Sequence, residues 1–455
     1  MQVRVFPVRV LRGTISVPGD KSISHRAALL GAIAEGATEV KGFALGKDPR
    51  TTLEVLRRLG VRIERKGDIL RIHGVGLRGL KPPDGPLYAG NSGTLIKLIS
   101  GILAGQEFHS VLTGDDSLKM RPMRVVEPLR LMGAEVSARD DLYPPLAIRG
   151  RFPLKPVHYA LPVASATVKS AVLLAGLCAE GRTTVEEPAP SRDHTERMLG
   201  AFGARIERRW LREGRAEDFE RELERRLRRA EGEGRPLRVQ VSVEGVARLE
   251  KQRVAVPGDI SSAAFFLVAG AIVPKSHLRI RGVGLNPTRK AVVDVLRRMG
   301  ADIRVEEERL VCGEPVGDLV VRGSELKGTR IAGALIPNLI DELPVLAVAA
   351  ACARGETVIR DASELRTKET DRIRAVVENL RRMGAKVGEL PDGMVIGGRR
   401  PLRGALVDSF GDHRIAMAFA VAGLAAEGET AIEGAEWADI SFPGFFELLE
   451  RISRR

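Results

Sequence analysis

Six stretches of the chain are apolar on nearly every side of a helix, and each begins at a short polar or Pro/Gly turn. Each stretch has about 12 small and apolar residues, and most of them end at a glycine. This pattern predicts a buried helix with a polar N-terminus and a glycine stop. The six turns are VPGDKS from Val17, YAGNSGT from Tyr88, LPVASAT from Leu161, VPGDISS from Val256, LIPNLIDE from Leu335 and SFGDHR from Ser409.

A second, amphipathic helix and a strand follow most of these runs. The helix ends in a recurring phrase, such as LRRLGVRIE or LRRMGADIRV, in which the glycine closes the helix and an alternating strand follows. Successive polar turns lie roughly 70 to 80 residues apart, except for one gap of about 95. Six βαβ-type units of this size predict a repeat architecture.

The two VPGD turns mark where the chain is expected to cross between two similar domains. Residues 17–255 would hold the first three units, and residues 1–16 together with 256–455 would hold the last three. The expected fold class is therefore α/β, with three repeated βαβ-type units and buried parallel helices in each domain and a shared cleft between the domains.

The longest spacing, between the third and the fourth polar turn, contains a charged excursion, Arg205 to Arg238. Phe219, Leu223 and Leu227 recur there at helical spacing, which predicts an amphipathic helix. Nine acidic residues offset twelve arginines in this segment. A solvated surface excursion is therefore favoured over a nucleic-acid-binding arm.

Length and charge narrow the possible functions. A chain of 455 residues is long enough for two or three domains with large cores. Its net charge of +13 fits either a nucleic-acid binder or an enzyme for multiply anionic small molecules. Aromatic residues make up only 4% of the chain, which leaves few side chains on which bases could stack.

The sequence predicts neither export nor a structural metal. No apolar run approaches the roughly 18 residues that a membrane span needs, and residues 1–17 lack the apolar core of a signal peptide. The three cysteines, Cys178, Cys312 and Cys352, are scattered without metal-ligand spacing. We expect a cytoplasmic protein without a disulfide framework or a zinc site.

The polar turns indicate an anion-binding site. If the buried helices are parallel, their N-terminal turns face the same way. A helix N-terminus offers free N–H groups and a positive dipole end, which suit phosphate and carboxylate. Six such ends that meet across a cleft would bind anions strongly, in agreement with the basic balance of the chain.

The first turn has two interpretations. Lys21 and Arg26 lie about one helical turn apart with hydroxyls between them, which suits an anionic ligand. Alternatively, Ser22 or Ser24 caps the helix and the two cations face solvent. The equivalent turn of the fourth unit, VPGDISSAA, lacks both cations, which favours a specialised function for the first.

The second unit contains a glycine-rich turn and a basic loop. The turn from Gly90 to Thr94 would let a backbone approach a ligand closely, or would simply join a strand to a helix. Further along, Lys119 and Arg121 precede a helix start, where they would bind phosphate or remain exposed.

The fifth and sixth units carry the acidic candidates. Asp341 and Glu342 lie at the turn into an apolar helix, so helix capping by Asp341 competes with a chemical role. The segment SELRTKETDRI clusters charges that would equally form a salt-bridged helix start, with Thr367 and Asp371 as caps. In the sixth turn, His413 is expected to be structural rather than a base.

Eight motifs occur in order along nearly the whole chain: VPGDKSISHRA, GNSGT, MRPM, PVASATVKSAVLLAGL, LIDELPVLAVAA, TKETDRI, GDHRIAMA and SFPGFFELL. Together they resemble the 3-phosphoshikimate 1-carboxyvinyltransferase family, whose members are also called 5-enolpyruvylshikimate-3-phosphate synthases. The resemblance implies two domains, each an inside-out α/β barrel with threefold pseudo-symmetry. It also implies transfer of the enolpyruvyl group of phosphoenolpyruvate to the 5-hydroxyl of shikimate 3-phosphate with release of phosphate, a step towards chorismate and the aromatic amino acids.

The implied chemistry needs no metal and no redox cofactor. Both substrates carry phosphate and carboxylate groups, which clustered Arg and Lys bind with charge-assisted hydrogen bonds. The reaction needs a base for the attacking hydroxyl and an acid for the methylene carbon. A monomer is expected, with these two small molecules as its partners and neither nucleic acid nor membrane.

Matched motif by motif, the resemblance assigns roles to fifteen residues. Asp341 resembles the proton acceptor and a substrate contact, Glu369 the proton donor, and Lys21 a catalytic group that touches both substrates. Contacts to shikimate 3-phosphate are implied for Ser22, Arg26, Ser165, Ala166 and Lys368. Contacts to phosphoenolpyruvate are implied for Gly93, Arg121, Arg372 and Arg414, and further substrate contacts are expected at Asn91, Thr167 and Arg192.

The sequence departs from the family pattern in several places. Thr167 stands where a glutamine is usual, Lys97 where many members have arginine, and Ile440 near a position where some have lysine. The charged excursion is also atypical. These departures bear on substrate affinity more than on reaction type.

Two alternative functions stay open at this point. A related enolpyruvyl transferase acts on UDP-N-acetylglucosamine and uses a loop cysteine, but the corresponding loop here, TGDDSLKMRPM, has none. The other alternative is a non-catalytic RNA-binding protein on the same basic scaffold.

Overall fold

The computed structural model describes residues 1–211, 238–245, 248–398 and 401–453. The helix predicted from Phe219, Leu223 and Leu227 in the charged excursion lies outside the described residues. The strand Ile206–Trp210, at the beginning of the excursion, pairs in antiparallel direction with Val239–Glu244, which follows it.

The strands alternate with helices along the whole described chain. In chain order the strands are β1 (Gln2–Val5), β2 (Arg12–Ser16), β3 (Glu35–Lys41), β4 (Arg62–Lys66), β5 (Ile69–Val75), β6 (Leu87–Tyr88), β7 (His109–Thr113), β8 (Glu135–Arg139), β9 (Tyr143–Arg149), β10 (His158–Ala160), β11 (Arg182–Glu187), β12 (Ile206–Trp210), β13 (Val239–Glu244), β14 (Arg253–Ala255), β15 (His277–Gly284), β16 (Asp302–Val311), β17 (Glu314–Arg322), β18 (Arg330–Ile331), β19 (Glu356–Ile359), β20 (Lys386–Leu390), β21 (Gly393–Gly397), β22 (Leu406–Asp408) and β23 (Thr430–Glu433).

The α-helices are of two kinds, apolar and amphipathic, as the sequence pattern predicts. In chain order they are α1 (Lys21–Ile33), α2 (Lys47–Arg58), α3 (Gly93–Ala104), α4 (Asp116–Lys119), α5 (Val126–Leu131), α6 (Ala166–Gly176), α7 (His194–Ala201), α8 (Ile260–Ile272), α9 (Ala291–Arg298), α10 (Ile336–Leu339), α11 (Leu343–Cys352), α12 (Arg372–Arg382), α13 (His413–Leu424) and α14 (Phe445–Ser453). Short 3₁₀ turns lie at Gly333–Leu335, Ser363–Thr367 and Ala435–Ile440.

One sheet pattern recurs along the chain. In the second unit β6 runs parallel to β7 on either side of α3, and the hairpin β8–β9 adds to β7 in antiparallel direction. The sheets β10-β11-β13-β12 and β18-β19-β21-β20 have the same order and directions, and β22-β23-β1 is a shorter version. The predicted α/β repeat is therefore confirmed, and each βαβ core is extended by a second helix and further strands.

The first and fourth units exchange a strand. β2 precedes α1 in the chain, yet it pairs in parallel with β15. β14 precedes α8, yet it pairs in parallel with β3. The two VPGD turns cross each other here, because the backbone N–H of Asp20 donates to Pro257 O at 2.8 Å and that of Asp259 donates to Pro18 O at 2.9 Å.

Buried hydrophobic side chains form two clusters. The first is built from residues between 23 and 254 and contains α1, α3 and α6. The second is built from residues between 5 and 15 and between 260 and 452, and it contains α8, α11 and α13. These six helices correspond to the six apolar stretches of the sequence, and their residues are buried along most of their length.

Apolar helices are common in the chain, but within the described residues no single one has both the length and the composition to cross a membrane. The segments Gly333–Leu339 and Leu343–Cys352 reach that length and composition only as a pair, and a bend of 111° separates them. The second of these segments is α11, whose residues belong to the second hydrophobic cluster.

Candidate active site

A cleft lies between the two hydrophobic clusters, at the N-terminal ends of several buried helices. Its walls include the first residues of α1, α3, α6 and α13, so the prediction that these helix ends face one site is confirmed for these four. Fourteen of the fifteen residues singled out from the sequence line this cleft: Lys21, Ser22, Arg26, Asn91, Gly93, Arg121, Ser165, Ala166, Thr167, Arg192, Asp341, Lys368, Glu369 and Arg414.

The residue that caps α1 is neither of the two serines considered from the sequence. The Oδ1 atom of Asp20 accepts from the backbone N–H of Ile23 at 2.8 Å, so Asp20 caps the helix. Capping by Ser22 or Ser24 is therefore wrong. The Ser24 hydroxyl accepts from the backbone N–H of Ala44 at 2.9 Å, and Ser22 lines the cleft.

The two cations of α1 have specific partners and do not extend into solvent. Lys21 Nζ lies 3.1 Å from Asp48 Oδ2. The Arg26 guanidinium is buried and donates from Nε to Thr195 Oγ1 at 2.6 Å and from a terminal nitrogen to Ser170 Oγ at 3.0 Å. Burial lowers the pKa of Arg26 to about 10, which leaves this side chain charged at neutral pH. The alternative of solvent-facing cations is therefore wrong.

The glycine-rich turn and the basic loop of the second unit meet in the cleft. Arg121 donates from one terminal nitrogen to the backbone oxygen of Asn91 at 2.5 Å and to its Oδ1 at 2.8 Å. The Asn91 amide in turn donates to Asp115 Oδ2 at 2.9 Å. A Cβ on Gly93 would lie 3.7 Å from an Arg121 guanidinium nitrogen, so the glycine leaves open the space in front of this cation.

The N-terminus of α6 presents two hydroxyls to the cleft. Ser165 occupies the N-cap position, but its side chain makes no capping hydrogen bond. Its Oγ lies 3.5 Å from Thr167 Oγ1, and both residues line the cleft beside Ala166. A hydroxyl and the first N–H groups of a helix together form a suitable site for a phosphate.

Asp341 lies among three arginines. Its carboxylate contacts the Arg192 guanidinium from the opposite wall of the cleft, and it lies 3.4 Å from Arg372 and 3.5 Å from Arg414. Burial raises the pKa of Asp341, but Arg414, Arg192 and Arg372 outweigh burial and hold the pKa well below its ordinary value. The carboxylate is therefore ionised and able to accept a proton.

Helix capping does not explain Asp341. The N-cap position of α11 is held by Glu342, whose side chain makes no capping hydrogen bond. Glu342 contacts the Ser261 hydroxyl and lies 3.7 Å from the Arg289 guanidinium. The alternative of Asp341 as a helix cap is wrong, and the two neighbouring carboxylates have different surroundings.

Glu369 has arginines on both sides. It lies 2.7 Å from Arg372 and 3.7 Å from Arg121, which belongs to the other wall. Burial raises the pKa of Glu369, but Arg372 and the other cations outweigh burial and hold it far below its ordinary value. Arg372 itself is 1% exposed and also binds Asp412 at 2.7 Å. This fifteenth residue therefore lies behind the cleft wall, where it contacts Asp341 and Glu369.

The charged segment SELRTKETDRI forms a salt-bridged helix start and also contributes side chains to the cleft. Arg366 pairs with Asp371 at 2.7 Å, and Asp371 caps α12 by accepting from the backbone N–H of Arg374 at 3.1 Å. Lys368 pairs with Glu364 at 2.8 Å, and both of these side chains line the cleft. Thr367, the other candidate cap, also lines the cleft.

His413 is the first residue of α13 and is buried. Neither of its ring nitrogens has a hydrogen-bond partner among the described residues. Burial, together with Arg414, lowers the pKa of His413 well below its ordinary value, so the ring is neutral at pH 7. The expectation that His413 is structural rather than a base stays a prediction.

Several charged or polar residues of the cleft were not assigned a role from the sequence. They are Asp48, Thr94, Arg124, Ser191 and Glu364. Asp48 lies in the first turn of the amphipathic helix α2, and Ser191 lies in the connection before α7. Neither position carries a local signal of function, because Asp48 pairs with Lys21 of another helix and the Ser191 hydroxyl contacts Glu187 at the end of a strand.

Lys97 also faces the cleft, from α3. Burial and the neighbouring cation Lys368 lower the pKa of Lys97 to about 7. Arg121 and Arg124 act in the same direction as Lys368, and Glu364 acts in the opposite one. The charge on Lys97 is therefore sensitive to pH and to any bound anion.

Comparisons with known proteins agree with this site. The family model of EPSP synthase (3-phosphoshikimate 1-carboxyvinyltransferase) matches residues 6–220 and 229–449. The chain is 52% identical to the 3-phosphoshikimate 1-carboxyvinyltransferase of Desulforamulus reducens, with 99% of each chain covered. It is 55% identical to that of a Synechococcus species, with 98% of this chain and 95% of the relative covered.

A solved structure extends the similarity to the fold. The structure of EPSP synthase from Acinetobacter baumannii matches with a TM-score of 0.83 and 45% identity, and the match covers 99% of this chain and 98% of that chain. Sequence and fold therefore agree over nearly the full length, and the chain belongs to the EPSP synthase (3-phosphoshikimate 1-carboxyvinyltransferase) family.

Proposed function

We propose that this chain transfers the enolpyruvyl group of phosphoenolpyruvate to the 5-hydroxyl of shikimate 3-phosphate and releases phosphate, a step in the synthesis of chorismate and the aromatic amino acids. The observation that carries the proposal is a single cleft with two carboxylates, Asp341 and Glu369, and a ring of cations. Two polyanionic substrates fit the cations, and an addition–elimination reaction needs one base and one acid. Family membership supports the same reaction and favours neither the sugar-nucleotide nor the RNA-binding alternative.

In the proposed reaction, Asp341 accepts the proton of the 5-hydroxyl while the oxygen attacks C2 of phosphoenolpyruvate. Glu369 donates a proton to C3, which becomes a methyl group in the tetrahedral intermediate. In the elimination, the methyl group returns a proton to Glu369 as the C2–O bond to phosphate breaks. Asp341 then gives its proton to the departing phosphate, so that Asp341 is again a carboxylate and Glu369 is again an acid.

Binding of phosphoenolpyruvate is expected to convert Glu369 into the acid. Glu369 is ionised in this structure because Arg372 and other cations outweigh its burial. A phosphate bound at Arg121 would neutralise part of this positive charge and raise the pKa of Glu369. Proton donation is thereby linked to binding of phosphoenolpyruvate.

We propose that the two substrates bind in different parts of the cleft. We assign shikimate 3-phosphate to the hydroxyls and cations around α1 and α6, and phosphoenolpyruvate to the turn at α3, the basic loop and α13. Lys21 touches both substrates in this assignment. The residues on the shikimate 3-phosphate side are Ser22, Arg26, Ser165, Ala166, Arg192 and Lys368, and those on the phosphoenolpyruvate side are Asn91, Gly93, Arg121, Arg372 and Arg414.

Release of phosphate tests this proposal. Purified protein with phosphoenolpyruvate and shikimate 3-phosphate is expected to release phosphate, and protein with phosphoenolpyruvate alone is not. Replacing shikimate 3-phosphate by UDP-N-acetylglucosamine is expected to give no release. Absence of release with both proposed substrates would reject the assignment.

Replacing Thr167 with glutamine is expected to tighten binding of shikimate 3-phosphate or phosphoenolpyruvate about tenfold. Thr167 Oγ1 lies beside Ser165 Oγ at the N-terminus of α6, and a longer amide there would add a donor towards the ligand. A hydrogen bond to a charged group contributes about 1.5 to 3 kcal/mol. Calorimetric titration and steady-state kinetics measure the change, with Thr167→Ser as the control. Equal or weaker binding of both substrates in Thr167→Gln would show that another group already fills this position.

Affinity for shikimate 3-phosphate is expected to fall as pH rises from 7 to 9. Lys97, whose pKa is about 7, is charged below that pH and neutral above it, so binding of an anion above pH 7 requires uptake of a proton. The loss is at most about tenfold per pH unit, and the ligand phosphate, with a second pKa near 6, does not change charge in this range. In Lys97→Arg, which stays charged, the profile is expected to be flatter. Identical profiles for the two proteins would exclude Lys97 as the cause.

We also propose that the two hydrophobic clusters are separate domains, residues 17–255 and residues 1–16 with 256–455, which close on the ligand. Two ion pairs reach across the cleft, Arg192 with Asp341 and Arg121 with Glu369, and a bound anion would attract the cations of both walls. Solution scattering is expected to show a smaller radius of gyration with saturating shikimate 3-phosphate. An unchanged radius would count against closure.

We further propose that the protein acts in the cytoplasm as a monomer, with neither nucleic acid nor membrane as a partner. One chain holds fourteen of the fifteen residues assigned to the site, in keeping with a monomer. All three cysteines are free thiols, in keeping with a reducing compartment. Sedimentation velocity during turnover would reveal any active oligomer.

A further inference from the structure

The apolar helix α6 contains one buried charge. Lys169 is 1% exposed and its Nζ lies 2.7 Å from Glu187 Oε2 and 2.7 Å from Glu196 Oε1. Both carboxylates are as deeply buried as the lysine. A buried ion group of this kind contributes little net stability compared with an apolar replacement, and Lys169 does not line the cleft.

The two carboxylates enclose the segment that supplies part of the cleft wall. Glu187 is the last residue of β11, and Glu196 lies in the first turn of α7. The connection between these elements carries Ser191 and Arg192 into the cleft. The Ser191 hydroxyl also donates directly to the Glu187 carboxylate. Lys169 therefore joins both ends of this connection to α6.

A second branch of the same network reaches Arg26. The Thr195 hydroxyl, next to Glu196, accepts from Arg26 Nε at 2.6 Å and lies 2.6 Å from Ser170 Oγ. Ser170 follows Lys169 on α6 and accepts from Arg26 at 3.0 Å. Lys169 and Arg26 supply two positive charges and the two glutamates supply two negative ones, so the buried group is balanced when all four are ionised.

We infer that Lys169 is a positioning residue for recognition of shikimate 3-phosphate. Through Glu187 and Glu196 it fixes the segment that carries Ser191 and Arg192. It also fixes the start of α7, where Thr195 accepts from Arg26. This inference rests on the proposed function. It concerns one substrate only: Arg121 and Arg414, assigned to phosphoenolpyruvate, lie on the basic loop and on α13, outside this network.

Removing the lysine charge would leave two buried carboxylates facing each other. Burial already raises the pKa of Glu187, and Lys169 counteracts this. Without the lysine, the carboxylates would move apart or bind a proton, and both responses release the ends of the connection that they now hold. The guanidinium groups of Arg26 and Arg192 would lose their fixed spacing without any change in their own identity.

The test is a comparison of Michaelis constants in Lys169→Met. We expect the KM for shikimate 3-phosphate to rise about 10- to 100-fold, the size of effect that loss of one hydrogen bond to a charged group produces. The KM for phosphoenolpyruvate at saturating shikimate 3-phosphate and kcat are expected to change less than about threefold. A merely structural role would instead lower the amount of folded enzyme and leave both KM values unchanged.

Two further variants keep the test decisive. The control is Asp318→Asn, in β17 and outside the cleft. It removes a buried carboxylate that accepts from Arg279 at 2.9 Å and from the Gly282 N–H at 2.8 Å. This variant is expected to lower the melting temperature without altering either KM. If Lys169→Met does not fold, the double variant Lys169→Met/Glu187→Gln restores charge balance around Arg26 and Glu196. It is expected to show the same selective rise in the KM for shikimate 3-phosphate.

Calorimetric titration of shikimate 3-phosphate into each protein separates this inference from the proposed function. A wild-type protein that neither binds shikimate 3-phosphate nor releases phosphate would overturn the proposed function, and this inference with it. Active wild-type protein with equal shikimate 3-phosphate affinity in the folded variants would overturn the role of Lys169 alone. A parallel rise in both KM values would overturn it as well.

Discussion

Replacing Glu369 with glutamine is expected to lower turnover by about 10²- to 10⁴-fold, the usual contribution of a general acid–base group, while binding of shikimate 3-phosphate stays nearly unchanged. Glutamine has the same shape and still accepts from Arg372, which lies 2.7 Å from the carboxylate. It has no proton to give to C3 of phosphoenolpyruvate. The comparison requires single-turnover rates and calorimetric dissociation constants for the same preparations.

The chain offers a matched control for this variant. Glu378 lies on α12 and pairs with Arg374 at 2.7 Å on the exposed side of the helix. Glu378→Gln removes a comparable ion pair without touching the cleft and is expected to be fully active. Near-normal turnover in a folded Glu369→Gln protein would mean that Glu369 only forms a salt bridge at the start of α12.

Replacing Asp341 with asparagine is expected to reduce turnover by a similar factor, about 10²- to 10⁴-fold, because an amide cannot accept the hydroxyl proton. Its effect on binding should differ from that of most charge removals. Asp341 now neutralises part of the charge of Arg192, Arg372 and Arg414, so these arginines would attract anions at least as strongly without it. Turnover is therefore expected to fall while affinity for the two substrates is kept or increased.

Measuring both quantities distinguishes a base from an organiser of arginines. If Asp341 served only to hold the three guanidinium groups in place, Asp341→Asn would weaken substrate binding and turnover together. The control is Asp392→Asn, which loosens an ion pair with Arg360 at 2.9 Å on the protein surface and is expected to keep full activity.

The architecture could be predicted from local patterns because each unit repeats them. The apolar helices recur six times, and the LRRMGA-type helix ends with the alternating strands that follow them recur five times, with only small changes. The signal for the strand exchange was less direct: the VPGD phrase occurs twice, once before each unit whose leading strand joins the other sheet. Period and repetition therefore indicated the sheets, although not the additional hairpins.

Sequence patterns predicted some residues of the site better than others. Fourteen of the residues assigned by motif resemblance line one cleft. Arg372 contacts Asp341 and Glu369 from behind the cleft wall, and its contact with phosphoenolpyruvate stays a prediction. Lys169 stands within an apolar stretch of the sequence, and its partners Glu187 and Glu196 lie in later elements that no helical period connects with it. Long-range ion pairs of this kind depend on packing and leave no mark on the local pattern.

The strand exchange has a consequence for synthesis of the chain. Strand β2 leaves the ribosome near the beginning, but its partner β15 begins at His277, some 260 residues later. At about 5 to 20 residues per second, β2 waits about 10 to 50 s for a neighbour. During that time β2 is an unpaired strand, and its shortness and its arginine, in RGTIS, are features that discourage pairing with foreign strands. Strand β3 pairs early with β5, but its other edge stays open until β14 is made, so neither sheet is complete until the ribosome has passed the middle of the message.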